Sequence, residues 1–91
     1  MQTPHLDIRA RSSGQPVARV GLIVPRYKHD AVARNRLRRR LRELIRLELL
    51  PHLSAGDTLI RAKADAYDVS FASLRTEIDT VRAWVSKLSR Q

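Results

Sequence analysis

The sequence has 91 residues with 18 Lys and Arg against 9 Asp and Glu, so one small domain, residues 1–91, carries a formal net charge of +9. A hydrophobic fraction of 43% predicts a folded domain and excludes a disordered basic tail. The lack of cysteine excludes disulfides and thiolate metal sites, and the lack of a long apolar stretch excludes a membrane span, so we expect a cytoplasmic protein that holds no metal of its own.

Two strands are predicted in the first quarter of the chain. Apolar and polar residues alternate strictly from Leu6 to Arg11, which is the pattern of a strand with one buried face. Residues 12–16 are typical of a turn, and Val17–Val24 is rich in β-branched residues. We therefore expect the two strands to pair as an antiparallel hairpin.

A helix is predicted from Ala31 to about Leu50, because Asp30 is a favourable N-cap and Pro51 ends the helical pattern. At about 100° per residue, its apolar side chains fall on one arc, which comprises Ala33, Leu37, Leu41, Leu44 and Ile45. Most of its arginines lie on the adjacent arc, where their stems cover apolar surface while the guanidinium groups stay outward. Arg36 and Arg40 lie on the other flank.

The second half of the chain predicts one more strand and one more helix. Thr58–Ala64 is the strand, and the polar segment Asp65–Val69 is a loop. Ser70 is the expected N-cap of the last helix. The apolar stripe of this helix comprises Phe71, Leu74, Ile78, Val81, Val85 and Leu88. Trp84 lies beside the stripe, so we expect it to cover the edge of the core and be partly buried.

The element order is therefore β-β-α-β-α, which predicts an α+β fold with one small mixed sheet and two helices packed on it. The strands before and after the first helix are expected to pair in parallel, with this helix as the crossover between them.

The positive charge is concentrated in the middle of the chain. From Arg26 to Arg46 there are nine cations against two carboxylates, a net charge of +7. Seven arginines within the thirteen positions from Arg34 to Arg46 repel one another on one helix. A sequence that tolerates this repulsion indicates an external anion that relieves it, and a nucleic acid is the first choice.

The second predicted strand, the basic loop after it (residues 25–30) and the first turns of the first predicted helix together carry a specific motif. Arg34-Asn35-Arg36 continues in register with Arg38, Arg39, Arg42 and Glu43, after a strand of the form Arg-Val-Gly-Leu-Ile-Val that begins at Arg19. This pattern resembles the bacterial ribonuclease P protein family and its RNR signature. The later segments Gly56–Ile60 and Ser70–Leu74 are also similar to that family, so the likeness extends from about Leu6 to Leu88.

The resemblance implies a protein component of ribonuclease P, an RNA-containing endoribonuclease that removes the 5′ leader of precursor tRNA. The expected partners are the catalytic RNA and precursor tRNA, and the oligomeric state is unknown. Catalysis and Mg²⁺ are expected to belong to the RNA, with no catalytic residue, metal or firmly bound cofactor in this chain. The sequence agrees, because no pair of carboxylates has the spacing of a two-metal site.

The resemblance also implies which residues contact RNA. Guanidinium groups bind phosphates in bidentate fashion, and an asparagine side chain can donate to a phosphate and accept from a ribose 2′-hydroxyl. The expected RNA-binding residues are Arg26, Lys28, Arg34, Asn35, Arg36, Arg38, Arg39, Arg42 and Arg46.

The family further implies a left-handed crossover around the RNR helix and a leader-binding cleft between the sheet and an N-terminal helix. That helix and the first short strand of the family have no counterpart before Met1. The remaining candidates for a surface that faces the leader are sheet residues, namely Arg9, Arg11, Arg19, Arg61 and Lys63.

Three other functions are weighed against this interpretation. A ribosomal-type protein that binds structured RNA without processing it accounts equally well for the charge, but it does not require the spacing from strand to RNR helix. A helix-turn-helix DNA-binding module needs two helices joined by a tight turn, whereas strands flank the basic helix here. A free-standing nuclease needs an acid and base constellation that the sequence lacks.

Overall fold

Three short strands and two helices build the protein in a computed structural model that describes residues 1–12 and 14–88. In chain order the elements are β1 (Leu6–Arg11), β2 (Ala18–Ile23), α1 (Ala31–Leu44), β3 (Gly56–Ala62) and α2 (Phe71–Leu88). The predicted turn at 12–16 includes residue 13, which lies outside the described residues. The α+β class and the element order are confirmed.

The sheet has the order β1-β3-β2, so the predicted hairpin between the first two strands is wrong. β3 lies between them, antiparallel to β1 and parallel to β2. The parallel pairing across the α1 crossover is thus confirmed, while its handedness stays a prediction. The physical reason is burial. Thr58, Ile60 and Ala62 of β3 are all buried. The strand with this continuous buried face takes the central position, where both of its edges are hydrogen-bonded to neighbouring strands.

The strand register divides the sheet residues between two faces. The inner face packs against the helices and comprises Leu6, Ile8, Ala10, Val20, Leu22, Thr58, Ile60 and Ala62. The opposite face, here called the open face, comprises Asp7, Arg9, Arg11, Arg19, Gly21, Ile23, Asp57, Leu59 and Arg61. Within it, Leu59 stands between Arg9 and Gly21.

Both helices bury most of the apolar stripes that their spacing predicts, and in α1 only Ala33 of the stripe is half-buried. In α2, Leu74, Ile78, Val81 and Val85 are buried, but Phe71 and Leu88 are 42% and 39% exposed. These two residues are the first and last of an 18-residue helix. Such a helix is about 27 Å long, longer than a strand of six or seven residues, so its ends extend past the sheet. Trp84 is half-buried against the core, as predicted.

The first helix ends earlier than predicted. α1 stops at Leu44 and continues as a wider π-helical turn, Ile45–Leu49, followed by a 3-10 turn, Leu50–His52. Because Pro51 has no N–H and crowds the preceding backbone, a regular helix cannot continue there. The Leu50 N–H instead donates to the Ile45 carbonyl, five residues back.

Two smaller boundaries also differ from the prediction. β3 begins at Gly56 and ends at Ala62, so Lys63 and Ala64 lie outside the strand. The predicted loop after it is a short 3-10 helix, Ala64–Asp68. No helix in the described part of the chain has the length and apolar character that crossing a membrane requires.

The N-terminal residues are held against both β1 and α2. The Ile8 N–H donates to the Met1 carbonyl (2.8 Å), which places the first residues along the outer edge of β1. Glu77 of α2 accepts hydrogen bonds from the Thr3 hydroxyl and from the His5 backbone and ring. Burial acts to raise the pKa of Glu77, but these hydrogen bonds outweigh it and hold the pKa below its ordinary value.

Candidate nucleic-acid interface

The start of α1 is fixed to the sheet by two polar contacts. The Asp30 carboxylate accepts from the Ala33 backbone N–H (2.8 Å), which confirms the predicted N-cap. The Arg34 Nε donates to the carbonyl of Val24 (2.8 Å), just beyond β2. Arg34 is therefore half-buried and fastens the helix to the sheet, in addition to the RNA contact that its place in the motif implies.

The structure places the predicted RNA-binding residues on α1, the loop before it and the π-helical turn after it, which holds Arg46. Of these, Arg34 and Arg38 are half-buried and the other seven are exposed. We call the predicted residues Arg26, Lys28, Arg34, Asn35, Arg36, Arg38, Arg39, Arg42 and Arg46 the basic face.

The cations of the basic face are mostly without a charged partner. Arg46 pairs with Glu43 (2.6 Å), and this hydrogen bond and charge raise the pKa of the guanidinium above its ordinary value. Six others make no ion pair with any described residue; they are Arg26, Lys28, Arg36, Arg38, Arg39 and Arg42. Such a set of uncompensated cations on one helix and its leading loop is an attractive surface for a polyanion.

A groove runs between the basic face and the sheet. It has a volume of about 540 Å³ and lies where Val24 and Pro25 leave β2 and pass Arg34 and Arg38. Its floor is apolar and its rim is cationic, so a nucleotide chain lying there would contact both kinds of surface.

Three aromatic rings support the basic loop, and no local sequence pattern identifies them as a unit. The His29 ring stacks on Tyr67 (centroids 3.9 Å apart, planes at 5°), and Tyr27 meets Tyr67 edge-on. The Tyr27 hydroxyl donates to the Ala62 carbonyl (3.0 Å), and the Tyr67 hydroxyl donates to the Pro25 carbonyl (2.6 Å). Burial raises the pKa of Tyr67. Tyr27 has a positive φ of 51°, so these contacts hold the loop in a conformation that is uncommon for a bulky residue.

Four of the five leader-facing candidates lie on the open face, where β1, β3 and β2 present Arg9, Arg11, Arg19 and Arg61 side by side. Lys63 does not join them. It lies beyond the end of β3, and its ammonium group donates to the Gln2 side chain (3.0 Å) and the Thr3 carbonyl (2.9 Å).

One carboxylate pairs with two of the four arginines on the open face. Asp57 lies between Arg19 (2.9 Å) and Arg11 (3.6 Å). The hydrogen bond from Arg19 is the largest cause that holds the pKa of Asp57 below its ordinary value. Arg9 and Arg61 make no ion pair among the described residues and flank shallow cavities of about 440 and 240 Å³ on either side of Leu59.

Most carboxylates of the described residues are engaged in structural contacts. Asp30 caps α1, and the others in this group form ion pairs or hydrogen bonds to His or Arg; they are Glu43, Glu48, Asp57, Glu77 and Asp79. Within residues 1–12 and 14–88, no three His, Asp or Glu side chains are placed to hold a metal ion.

Sequence comparisons find a matching family profile and several relatives. A family profile described as Ribonuclease P matches residues 1–86. The ribonuclease P protein component of Bartonella quintana is 46% identical over 63 residues, which is 68% of this chain and 47% of that protein. That of Salinispora tropica is 42% identical over 81 residues, which is 88% of this chain and 58% of that protein. The chain therefore spans about half the length of the curated relatives it matches.

Solved structures show the same fold at lower identity. The RNase P protein from Thermotoga maritima has a TM-score of 0.78 at 22% identity and covers 90% of this chain and 80% of its own. The Staphylococcus aureus RNase P protein has a TM-score of 0.72 at 21% identity, covering 98% and 78%. Because the family profile matches residues 1–86 and a relative that is 42% identical covers 88% of this chain, the chain belongs to the ribonuclease P family.

Proposed function

We propose that this chain acts as the protein component of ribonuclease P in the cytoplasm, where it binds the catalytic RNA through the basic face and assists Mg²⁺-dependent removal of the 5′ leader from precursor tRNA. The observation that carries the proposal is the set of six unpaired cations on α1 and the loop before it. Each phosphate that they neutralise releases condensed counterions, which favours binding to a large RNA.

The role of the chain is to bind and position RNA, and the hydrolysis belongs to the RNA with its Mg²⁺. The support is what the carboxylates do: Glu43, the acidic residue of the motif, pairs with Arg46, and Asp57 pairs with Arg19. A carboxylate held by an arginine is a poor ligand or base for hydrolysis, since its charge is already compensated. In this proposal the protein holds no cofactor firmly and meets Mg²⁺ only through the RNA.

The open face is the surface that we assign to the single-stranded leader. Leu59 and Ile23 are each 39% exposed there, and the unpaired Arg9 and Arg61 lie beside them. Apolar side chains next to cations suit a single strand, because bases contact the apolar surface while phosphates contact the guanidinium groups.

The test is 5′ processing of a precursor tRNA at low Mg²⁺ by the cognate catalytic RNA, with and without the protein. We expect the protein to stimulate cleavage. The variant R39Q/R42Q removes two exposed, unpaired cations from α1 and is expected to lose most of the stimulation at limiting protein concentration, because RNA affinity falls about tenfold.

The control for net charge is R75Q/K87Q, which removes two exposed cations from α2, one of them Arg75, which pairs with Glu48. We expect this variant to stimulate cleavage like the parent protein. Tight binding to the catalytic RNA without any stimulation would refute the processing role and assign the chain to the class of structured-RNA-binding proteins. Equal loss in both variants would show that net charge, not the basic face, determines binding.

A further inference from the structure

The arginines of α1 face two directions that a single strand cannot cover. Successive residues of a helix are about 100° apart, so Arg36 and Arg38 lie about 160° apart around the axis, and the same holds for Arg40 and Arg42. Arg36, Arg40 and Arg42 are exposed and Arg38 is half-buried. The Arg38 side borders the groove beside β2, whereas the Arg36 side faces away from it.

The Arg36 side is itself concave and has a rigid wall. Arg36 and Arg40 line a cavity of about 120 Å³ together with His29, Tyr67 and Asp68. The wall is fixed because the His29 ring stacks on Tyr67, whose hydroxyl is anchored on the backbone of the basic loop. This volume is well below the roughly 300 Å³ of a pocket for an organic ligand, and it suits one phosphate with part of its sugar.

The charges around this cavity fit a ribose phosphate better than a free phosphate. Arg36 and Arg40 make no ion pair among the described residues, and they repel each other one turn apart. The Asp68 carboxylate, on the opposite wall, also forms no ion pair within the described chain. Two cations bind a phosphate, while a carboxylate opposes it but accepts a hydrogen bond from a ribose 2′-hydroxyl.

We propose that the cavity formed by Arg36, Arg40, Asp68 and the stacked His29–Tyr67 pair binds one ribose phosphate of a second RNA strand, distinct from the strand that lies on the Arg38 and Arg42 side. The inference rests on the proposed function and extends it from one RNA contact to two. It also assigns a binding role to Arg40, His29, Tyr67 and Asp68.

The test compares two double variants, R36Q/R40Q and R38Q/R42Q, in binding to the cognate catalytic RNA with hydroxyl-radical footprinting. Each is expected to weaken binding about tenfold. The slope of log affinity against log salt should flatten by about 1.5 for R38Q/R42Q, where two phosphate contacts are lost, and by about 0.8 for R36Q/R40Q, where one is lost. Each should expose a different segment of the RNA, and the quadruple variant should bind about a hundredfold more weakly because the two sites are separate. The charge-preserving variant R36K/R40K should recover most of the slope.

The possible outcomes separate this inference from the proposed function. If R38Q/R42Q weakens binding and R36Q/R40Q leaves both RNA affinity and the KM for precursor tRNA unchanged, the second contact is refuted and the proposed function stands. If both variants expose the same RNA segment, there is only one strand and the inference fails. If neither variant has an effect, the proposed function itself fails.

Two further readouts identify the ligand. A raised KM for precursor tRNA with unchanged affinity for the catalytic RNA would assign the second strand to the substrate; weaker binding to the catalytic RNA assigns it to that RNA. A 2′-deoxy substitution at the protected nucleotide should weaken binding by the parent protein but not by D68N. Tighter binding of D68N to unmodified RNA would refute the ribose contact, because a bare phosphate binds better when the carboxylate is removed.

Discussion

The basic face of α1 and the open face of the sheet are both rich in arginine, but they differ in what neutralises the charge. On the open face, Asp57 lies between Arg11 and Arg19, and its pKa is lowered by them. On α1, Glu43 forms an ion pair only with Arg46, which follows the helix. The central arginines have no charged partner among the described residues. Two arginines of the open face therefore share a carboxylate, whereas the central arginines of α1 have none.

This difference follows from the geometry of the two elements. Residues opposite one another in neighbouring strands share a face, so a single carboxylate on β3 reaches arginines from both flanking strands. A helix surface brings together only residues three or four positions apart, and in α1 these are mostly other arginines. The sheet can thus hold its arginines in fixed positions, while α1 depends on an external anion to relieve its repulsion.

The largest expected effect concerns the hydrophobic core that the two regions share. Leu41 lies on the buried side of α1, and Ile60 lies on the inner face of the sheet, behind the open face. Both side chains are 0% exposed and belong to one continuous core. Leu41→Ala and Ile60→Ala are each expected to lower the free energy of unfolding by about 2–5 kcal/mol, since each leaves a cavity. Denaturant unfolding measures this. A loss below about 1 kcal/mol in either variant would show that its region is not supported by the common core.

The next effect tests the contrast directly. R39Q/R42Q on α1 and R11Q/R19Q on the open face each remove two exposed arginines. For α1 we expect the slope of log affinity against log salt to flatten by about 1.5, because two phosphates are no longer neutralised. For the open face we expect less than half of that change, because Asp57 already compensates these arginines. A salt series measures the first in binding to the catalytic RNA and the second in binding to a precursor tRNA that has a leader.

Equal slopes for the two double variants would break the comparison, because they would show that pairing with Asp57 does not reduce the availability of Arg11 and Arg19. Circular dichroism of both variants provides the control for folding, since all four side chains are exposed and their loss should leave the spectrum unchanged.

Local patterns predict both helices and place the arginines of α1 outside its buried stripe, whereas contacts between distant segments were not predictable. The spacing of Leu37, Leu41 and Leu44 identifies the buried side of α1, because a helix repeats over a few residues. The strand order was predicted incorrectly because pairing depends on which strand meets β3 in space. The stack of His29 on Tyr67 was not predictable for the same reason, because these residues are distant in the sequence and meet only in the fold. The spacing of Arg40 from Arg36 was the one available signal for the second flank.

A smaller effect on RNA binding is expected when the Asp57 carboxylate is removed. Asp57→Asn leaves Arg11 and Arg19 without their ion pairs and should make the open face resemble α1. We expect tighter binding of a precursor tRNA that has a leader, with a salt slope steeper by about 0.8 for each additional phosphate that the protein neutralises. The control substrate lacks the leader, and its affinity should not change. An equal increase in affinity for both substrates would show that the released arginines do not contact the leader.

The smallest effect is a pH dependence that Asp57 confers on stability. Because its pKa is lower in the folded chain than in the unfolded chain, where it is about 3.9, the ion pairs stabilise the fold above that pH. The contribution is lost as the pH falls through the lowered folded-state pKa. The parent protein should therefore be more stable than D57N above about pH 5, and the difference should shrink toward zero in acid. High salt should also reduce it, because these arginines are exposed and their charges are screened. A difference in the free energy of unfolding that is constant from pH 7 to pH 2 would mean that Asp57 acts through its backbone position in β3 and not through its charge.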